Sequence, residues 1–454
     1  MRALLVSVNR FSLPYPVFPL GLDYVAEGAR PHEVRILDLC ATPQGAEAAA
    51  IADAIAVFAP DAVGISIRNI DSIDVARPKC FLAEMRAVVQ AVRAATRAPI
   101  ALGGAGYSLF PRELLDALGA DYGVVGEGEQ FKALLDALER GGPRIAPPGP
   151  PGVAFRGAPA PATEAWSGPI RRASPTRNPL LRWYLKHGGM LNLQTQRGCP
   201  FQCIYCTYPG LEGRRVRQMD LSEVGRTARS LEDAGAKFLF VTDSSFNASA
   251  EHALAVASAF RSAGVRIPWG AFFTPVSPPD GFYKSLAQAG CTHVEFGTDA
   301  LCDAMLARIR KPFRVADVLS AHRSARDAEL HTAHFLLLGG PGESRETVGE
   351  TLQRAELLDE AALFFFCGMR IYPHTPLWEL ALAEGQIRHD QGLLEPVFYT
   401  PASIGLEAIV ERVERRARGR KNWVVGGGDP HMGWLVERMH ARGSTGPLWE
   451  RLGS

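Results

Sequence analysis

Cysteine is scarce in this chain, with 8 among 454 residues. Five of the eight (Cys40, Cys80, Cys291, Cys302, Cys367) are scattered and read as structural thiols. No second cysteine cluster occurs, which excludes a second iron–sulfur site. No Cys/His pair stands at the spacing that a closed zinc site would need. Long apolar runs are also missing. No stretch reaches 18 apolar residues, so no transmembrane helix and no membrane span are expected. Charge of one sign is not in excess: 49 Lys and Arg face 48 Asp and Glu, a formal net charge of +1. Nothing global therefore argues for nucleic acid or an anionic membrane as a partner. The arginine-rich run at 411–421 is local and reads as a solvated helix face. The opening Met1-Arg2-Ala3-Leu4-Leu5-Val6-Ser7-Val8-Asn9 is unsuited to a signal peptide and reads as a buried strand. A reducing cytoplasm is the expected compartment.

What the chain does have is a cysteine triplet, Arg197-Gly198-Cys199-Pro200-Phe201-Gln202-Cys203-Ile204-Tyr205-Cys206. The spacing is C-x3-C-x2-C, with an aromatic residue before the third cysteine. Three thiolates on one short loop can hold three irons of a [4Fe–4S] cube, which leaves the fourth iron without a protein ligand. A four-cysteine site is normally an electron carrier, whereas an open iron can bind and reduce a sulfonium. The spacing resembles the radical S-adenosylmethionine (SAM) superfamily.

Proline divides the chain. Residues 140–170 contain Gly141-Gly142-Pro143, Pro147-Pro148-Gly149-Pro150-Pro151-Gly152 and Ala158-Pro159-Ala160-Pro161-Ala162. Proline fixes φ and removes a donor, so 141–182 is expected to be a linker or extended arm without regular elements. Before it, apolar runs at 4–8, 34–39, 62–67, 100–103 and 122–125 alternate with helical patterns. Five β-α repeats predict a doubly wound, Rossmann-like parallel sheet over 1–140, with its ligand at the carboxyl ends of the strands. Glycines lie there: Gly103-Gly104-Ala105-Gly106 after the fourth strand, and Gly126-Glu127-Gly128-Glu129 after the fifth. They permit close approach of backbone to a ligand. Arg68 and Asn69 end the third strand at the same edge.

These first residues resemble the cobalamin-binding domain that precedes many radical SAM domains. The resemblance rests on Tyr15-Pro16-Val17-Phe18-Pro19-Leu20-Gly21-Leu22, Val63-Gly64-Ile65-Ser66-Ile67-Arg68, Gly103-Gly104 and Val124-Val125-Gly126-Glu127-Gly128-Glu129. It implies cobalamin held near Arg68, Asn69, Gly103, Gly104, Gly126, Glu127 and Gly128. The chain departs from the pattern at one place. Where some relatives carry D-x-H-x-x-G with a cobalt-ligating histidine, it reads Asn9-Arg10-Phe11-Ser12-Leu13-Pro14. Cobalt without a histidine ligand is the expectation, with Arg68 beneath it.

After the linker, β-α alternation resumes with strands at 191–196, 238–242, 269–273, 293–297, 332–338 and 364–372. Six units predict a partial (βα)6 TIM-type barrel over 183–385. Its sites belong at the C-terminal strand ends, where the cysteine loop falls. A small, mostly helical C-terminal domain is expected over 386–454, with Phe398, Tyr399, Trp423 and Trp434 covering the open side of the barrel. The superfamily resemblance implies metal ligands Cys199, Cys203 and Cys206. It implies SAM contacts at Thr242, Asp243, Glu295, Thr298, Asp299, Gly340 (in Gly339-Gly340-Pro341-Gly342-Glu343) and Arg370. Tyr372 and His334, the latter expected to face the barrel interior, are candidate catalytic groups. The implied chemistry is one-electron cleavage of SAM to a 5′-deoxyadenosyl radical, with an electron donor such as a flavodoxin or ferredoxin, and carbon methylation of a small molecule through methylcobalamin. A cobalamin-dependent cyclisation or rearrangement is the second enzymatic reading. A non-catalytic iron–sulfur or cobalamin-binding regulator is the third.

Overall fold

The computed structural model describes the chain except residues 12–14, 163–164, 427–435, 437 and 453–454. It forms two compact units. One comprises Met1–Ser72, Cys80–Tyr184 and Gly210–Gly213. The other comprises Ile73–Lys79, Leu185–Pro209 and Arg214–Ser454.

The first unit is built on β1 (Arg2–Ser7), β2 (Glu33–Asp38), β3 (Ala62–Ser66), β4 (Ile100–Gly103), β5 (Tyr122–Val124) and β6 (Val153–Phe155). Their order is β2-β1-β3-β4-β5-β6. The first five are parallel, as the β-α alternation predicts. The helices turn one apolar stripe to the sheet. In Leu82–Ala95 this stripe is Met85, Val88, Val89 and Val92, spaced at one face of a 3.6-residue period.

Strand β6 corrects the expectation of an irregular linker. Val153-Ala154-Phe155 contains no proline, is wholly buried, and pairs antiparallel with β5. Proline excludes regular structure only where it stands, and the three residues between the proline clusters were free to pair. The rest of the arm is fixed by buried polar contacts. Asn178 and Tyr184 donate to the Asp38 carboxylate at 3.0 and 2.8 Å. Arg172 and Asp23, both nearly inaccessible, form an ion pair of 2.9 Å. Burial still dominates at Asp23 and lifts its carboxyl to about 6, against the pull of Arg172.

The second unit carries β7 (Met190–Leu193), β8 (Phe238–Val241), β9 (Trp269–Phe273), β10 (Cys291–Asp299), β11 (His331–Leu338), β12 (Ala361–Cys367) and β13 (Trp423–Val425). All seven are parallel, in the order β13-β12-β11-β10-β9-β8-β7. One face meets the helices through Leu336, Leu338, Leu363 and Phe365, packed with Val318, Val348, Ile409 and Val413. The other face carries Ala333, Phe335, Ala362 and Phe364, and Trp449 of the 3-10 helix Leu448–Leu452 packs on it.

The segment after 386, expected to be a helical cap, thus also supplies the seventh strand. The arginine-rich run lies on helix Leu406–Ala417, whose Leu406, Ile409 and Val413 are buried, so it is a solvated face above an apolar stripe. Of the four aromatic residues expected to cover the barrel, Trp423 is in β13, and Phe398 and Tyr399 pair with Met369 and Arg370. Trp434 lies outside the described residues, as do Gly427 and Gly428.

Candidate active site

The cysteine loop leaves the C-terminal end of β7, where parallel strands direct their amide and carbonyl ends toward a ligand. Gly198 opens it at φ +93°, a conformation that glycine adopts without strain. The Cys206 amide donates to Cys203 O at 3.2 Å, and the Ile204 amide to Ile309 O at 3.2 Å. These bonds hold the peptide in a tight turn with Cys199 buried and Cys203 and Cys206 half-buried. Burial pushes the Cys206 thiol up to about 12 and the Cys203 thiol upward too, and repulsion among the three sulfurs adds to it. Such a trio is costly as bare thiolates and favourable around positive metal. The donor set therefore fits an iron–sulfur cluster.

Two buried carboxylates anchor the loop. Asp243, at the end of β8, accepts from the Thr195 amide at 2.7 Å and the Thr195 hydroxyl at 2.5 Å. It also accepts from the Gln196 amide at 3.3 Å. Asp243 was expected to meet SAM; its described bonds make it a strut for the approach to the loop. Thr242 likewise donates through amide and hydroxyl to Leu193 O, at 2.9 and 3.1 Å.

Asp299, at the end of β10 with φ +58°, accepts a short hydrogen bond from the Tyr205 hydroxyl and pairs with Lys311 at 2.8 Å. Side chains of both ion-pair partners are less than a tenth exposed. The Lys311 ammonium also lies 3.4 Å from the Tyr205 oxygen. Burial alone would pull Lys311 down, but Asp299 and then Cys203 and Cys206 outweigh it and raise it. The sequence reading missed Lys311. It stands 12 positions after Asp299 with no motif spacing, and only the aromatic before the third cysteine hinted that the loop had a partner.

Other expected SAM contacts are internal. Glu295 lies inside the sheet's helix-free face and accepts from Trp449 Nε1 at 2.8 Å. Burial raises its carboxyl to about 7. Thr298 bonds His334 Nδ1 at 2.7 Å. His334 corrects the expectation that it faces the barrel interior. Ala333 and Phe335 take that face, and strand alternation sends His334 to the helices. There it stacks on Phe296 at 4.9 Å and bonds His322 at 3.2 Å. Burial, then His322, holds it well below the ordinary histidine range. It is a packed core histidine.

Arg370 clamps two backbone carbonyls, Ile371 O at 2.7 Å and Leu393 O at 2.6 Å, and lies 5.0 Å from the centre of the Tyr372 ring. Tyr372 is half-buried just beyond it. Gly340 is small because an added Cβ would meet Met369 Cε at 2.6 Å, and Glu343 accepts from the Gly339 amide at 3.1 Å.

In the first unit, the expected cofactor residues gather at one sheet edge. Arg68 and Asn69 are exposed just past β3. Gly104 follows β4 at φ +99°, where a Cβ would strike Ile67 O at 2.5 Å. Gly103 ends β4, and Gly126, Glu127 and Gly128 follow β5, with Gly126 at φ +86° and its amide donating to the Ser108 hydroxyl oxygen at 2.9 Å. Glu127 accepts from the Trp166 amide at 3.1 Å. Three adjacent strands thus end in exposed polar groups and side-chain-free turns, which fits a large planar ligand. Arg10, in the segment without the ligating histidine, pairs with Glu47, and residues 12–14 lie outside the described chain.

Residues 6–135 match the family model of the B12 binding domain, and residues 193–355 match that of the radical SAM superfamily. Over 439 residues the chain is 26% identical to a tryptophan 2-C-methyltransferase of Streptomyces laurentii, covering 82% of this chain and 73% of that one. It is 28% identical over 390 residues to an uncharacterized methyltransferase of Pyrococcus horikoshii, covering 80% and 78%. Among solved structures, the radical SAM methyltransferase TsrM of Kitasatospora setae, with cobalamin and a [4Fe-4S] cluster bound, superposes with a TM-score of 0.85. That match is 22% identical in sequence and covers 100% of this chain and 97% of the other.

Proposed function

Because the chain is a cobalamin-dependent radical SAM enzyme by both of its domains, we propose that it methylates a carbon atom of a small, flat, apolar molecule. When bound, the cluster, SAM and cobalamin supply the electron, the radical initiator and the methyl carrier. Cys199, Cys203 and Cys206 hold the cluster, and Lys311 with Asp299 fixes their loop. Gly103, Gly104, Gly126 and Gly128 leave room for the corrin, with Arg68 and Asn69 facing it.

One observation carries the substrate class. The helix-free face of the barrel sheet presents aromatic rings in its upper half. Phe240 and Phe272 meet edge-on at 4.8 Å. Phe335 stacks on Phe364 at 4.9 Å and on Phe366 at 6.3 Å, with interplanar angles of 11° and 17°. Phe272 is 39% exposed, and Phe335, Phe364 and Phe366 are half-buried. A face carrying several partly open rings favours a planar apolar guest by ring contact. The name of the Streptomyces laurentii relative is consistent with such a guest.

The test is anaerobic reconstitution with iron, sulfide and hydroxocobalamin, followed by turnover with SAM and tryptophan or related indoles. A product heavier by one methylene supports the reading. An isomer or ring-closed product of unchanged carbon count would place the chain among rearrangement enzymes. No consumption of SAM in the presence of a loaded cluster and corrin would make it a regulator. The cluster's demand for single electrons calls for a flavodoxin- or ferredoxin-type donor, and the balanced net charge argues against nucleic acid as a partner. A cytoplasmic setting suits a thiolate-held cluster. Among the described residues no helix is long and apolar enough to cross a membrane.

A further inference from the structure

The N-terminal ends of β10 and β11 carry a second set of ligating side chains, at the opposite end of the strands from the cysteine loop. His293 Nε2 lies 3.0 Å from a carboxylate oxygen of Glu450, and His331 Nε2 lies 3.9 Å from the same oxygen. The ligand atoms of all three residues fall within 4.8 Å of one another. The two imidazole rings lie side by side, with centroids 4.8 Å apart and planes at 32°. A plain ion pair would need one histidine. Here a second imidazole directs its nitrogen to the same oxygen.

The geometry points to a divalent cation site, which we propose takes zinc. Zinc bonds nitrogen and oxygen at about 2.0–2.2 Å in tetrahedral array, which sets neighbouring ligand atoms roughly 3.3 Å apart. The His293–Glu450 separation already fits, and the half-exposed His331 needs only a small side-chain rotation to complete the set. The buried His293 is oriented by its other ring nitrogen, which bonds the Thr292 hydroxyl at 2.8 Å. Metal-bound imidazoles are generally fixed through their second nitrogen in this way. Two imidazoles and one carboxylate suit zinc better than magnesium or calcium, which prefer oxygen alone. The exposed side of His331, 49% accessible, leaves room for water as a fourth ligand.

The site is structural. Barrel chemistry gathers at the other ends of the strands. What Glu450 brings to His293 and His331 is the 3-10 helix Leu448–Leu452, whose Trp449 closes the barrel floor against Ala333 and Ala362. A metal here staples that helix to two strands.

The experiment uses the reconstituted holoenzyme, with Cys199, Cys203 and Cys206 already committed to iron. It is incubated with zinc chloride, desalted, and assayed for zinc and iron by mass spectrometry. About one zinc per chain is expected in the wild type. In both His331→Ala and Glu450→Gln the zinc is lost with iron unchanged, and added zinc raises the melting temperature of the wild type alone. Wild-type protein that retains no zinc overturns the proposal. So does zinc retained equally by both variants, which would place it elsewhere.

Discussion

One strand, β10, holds two buried carboxylates, one at its middle and one at its C-terminal end, and the two have different partners. Asp299 at the C-terminal end meets the Lys311 ammonium and the Tyr205 hydroxyl. Glu295, four residues earlier, meets the neutral indole of Trp449. The first arrangement fixes a charged pair beside the cysteine loop. The second keeps an acid at the edge of ionisation inside a packed floor, about 7 against an ordinary 4.5. Burial is common to both, so the partner's charge decides what burial does. At Asp299 the contact is between opposite charges, and at Glu295 it is with a neutral donor.

Breaking the upper end should have the largest effect. Cys203→Ala or Cys206→Ala removes a proposed cluster ligand from an otherwise folded chain. The expected outcome is loss of cluster iron and of SAM cleavage to background, read by iron analysis and product chromatography. Lys311→Met tests the charged pair itself, since it leaves Asp299 buried without its cation. A loss of about 3–5 kcal/mol is expected in denaturant unfolding, with much of it recovered in Asp299→Asn/Lys311→Met. A single variant as stable as the wild type would show that Lys311 is dispensable to the loop.

Glu295→Gln sharpens the contrast from below. The unfolded chain gives up this proton near 4.5 and the folded chain holds it to about 7, so the folded form binds more protons between those values. Wild-type stability should therefore fall as pH rises through that window, by about 3 kcal/mol when complete. The amide variant keeps an acceptor for Trp449 and loses the slope. It should melt at a higher temperature than the wild type at pH 8 and show little gain at pH 5. The smallest effect is expected of Trp449→Phe, which keeps the ring and deletes the donor. About 1–2 kcal/mol should be lost, with the Glu295 titration moving higher still.

The strong signals in the sequence were those that repeat or crowd. The cysteine triplet and the long buried strands, such as the run at Trp269–Phe273, could be placed without coordinates. Strands β6 and β13 could not, because three residues hold no readable period and their pairing is decided by a neighbour far along the chain. Facing was harder still. His334 sits in a strand that the apolar pattern reveals, yet its side depends on the registration of Ala333 and Phe335 against Ala362 and Phe364. The irregularity in β10 between Phe296 and Asp299 then shifts which of Thr298 and Asp299 turns to the loop. Lys311 was invisible because its partner lies across space and its neighbours, Arg308-Ile309-Arg310, resemble any basic surface stretch.

The bonds from Asn178 and Tyr184 to Asp38 span 140 and 146 positions. Contacts between such distant segments are slow to form, because the intervening chain must first be gathered in. A fragment cut at residue 140, where composition suggests an end, would therefore keep its parallel sheet but lose the Asn178 and Tyr184 donors to buried Asp38 and the Arg172 partner of buried Asp23. An excised form of this unit should run through Tyr184, and on the ribosome its sheet must wait for that late latch before it is proof against proteases.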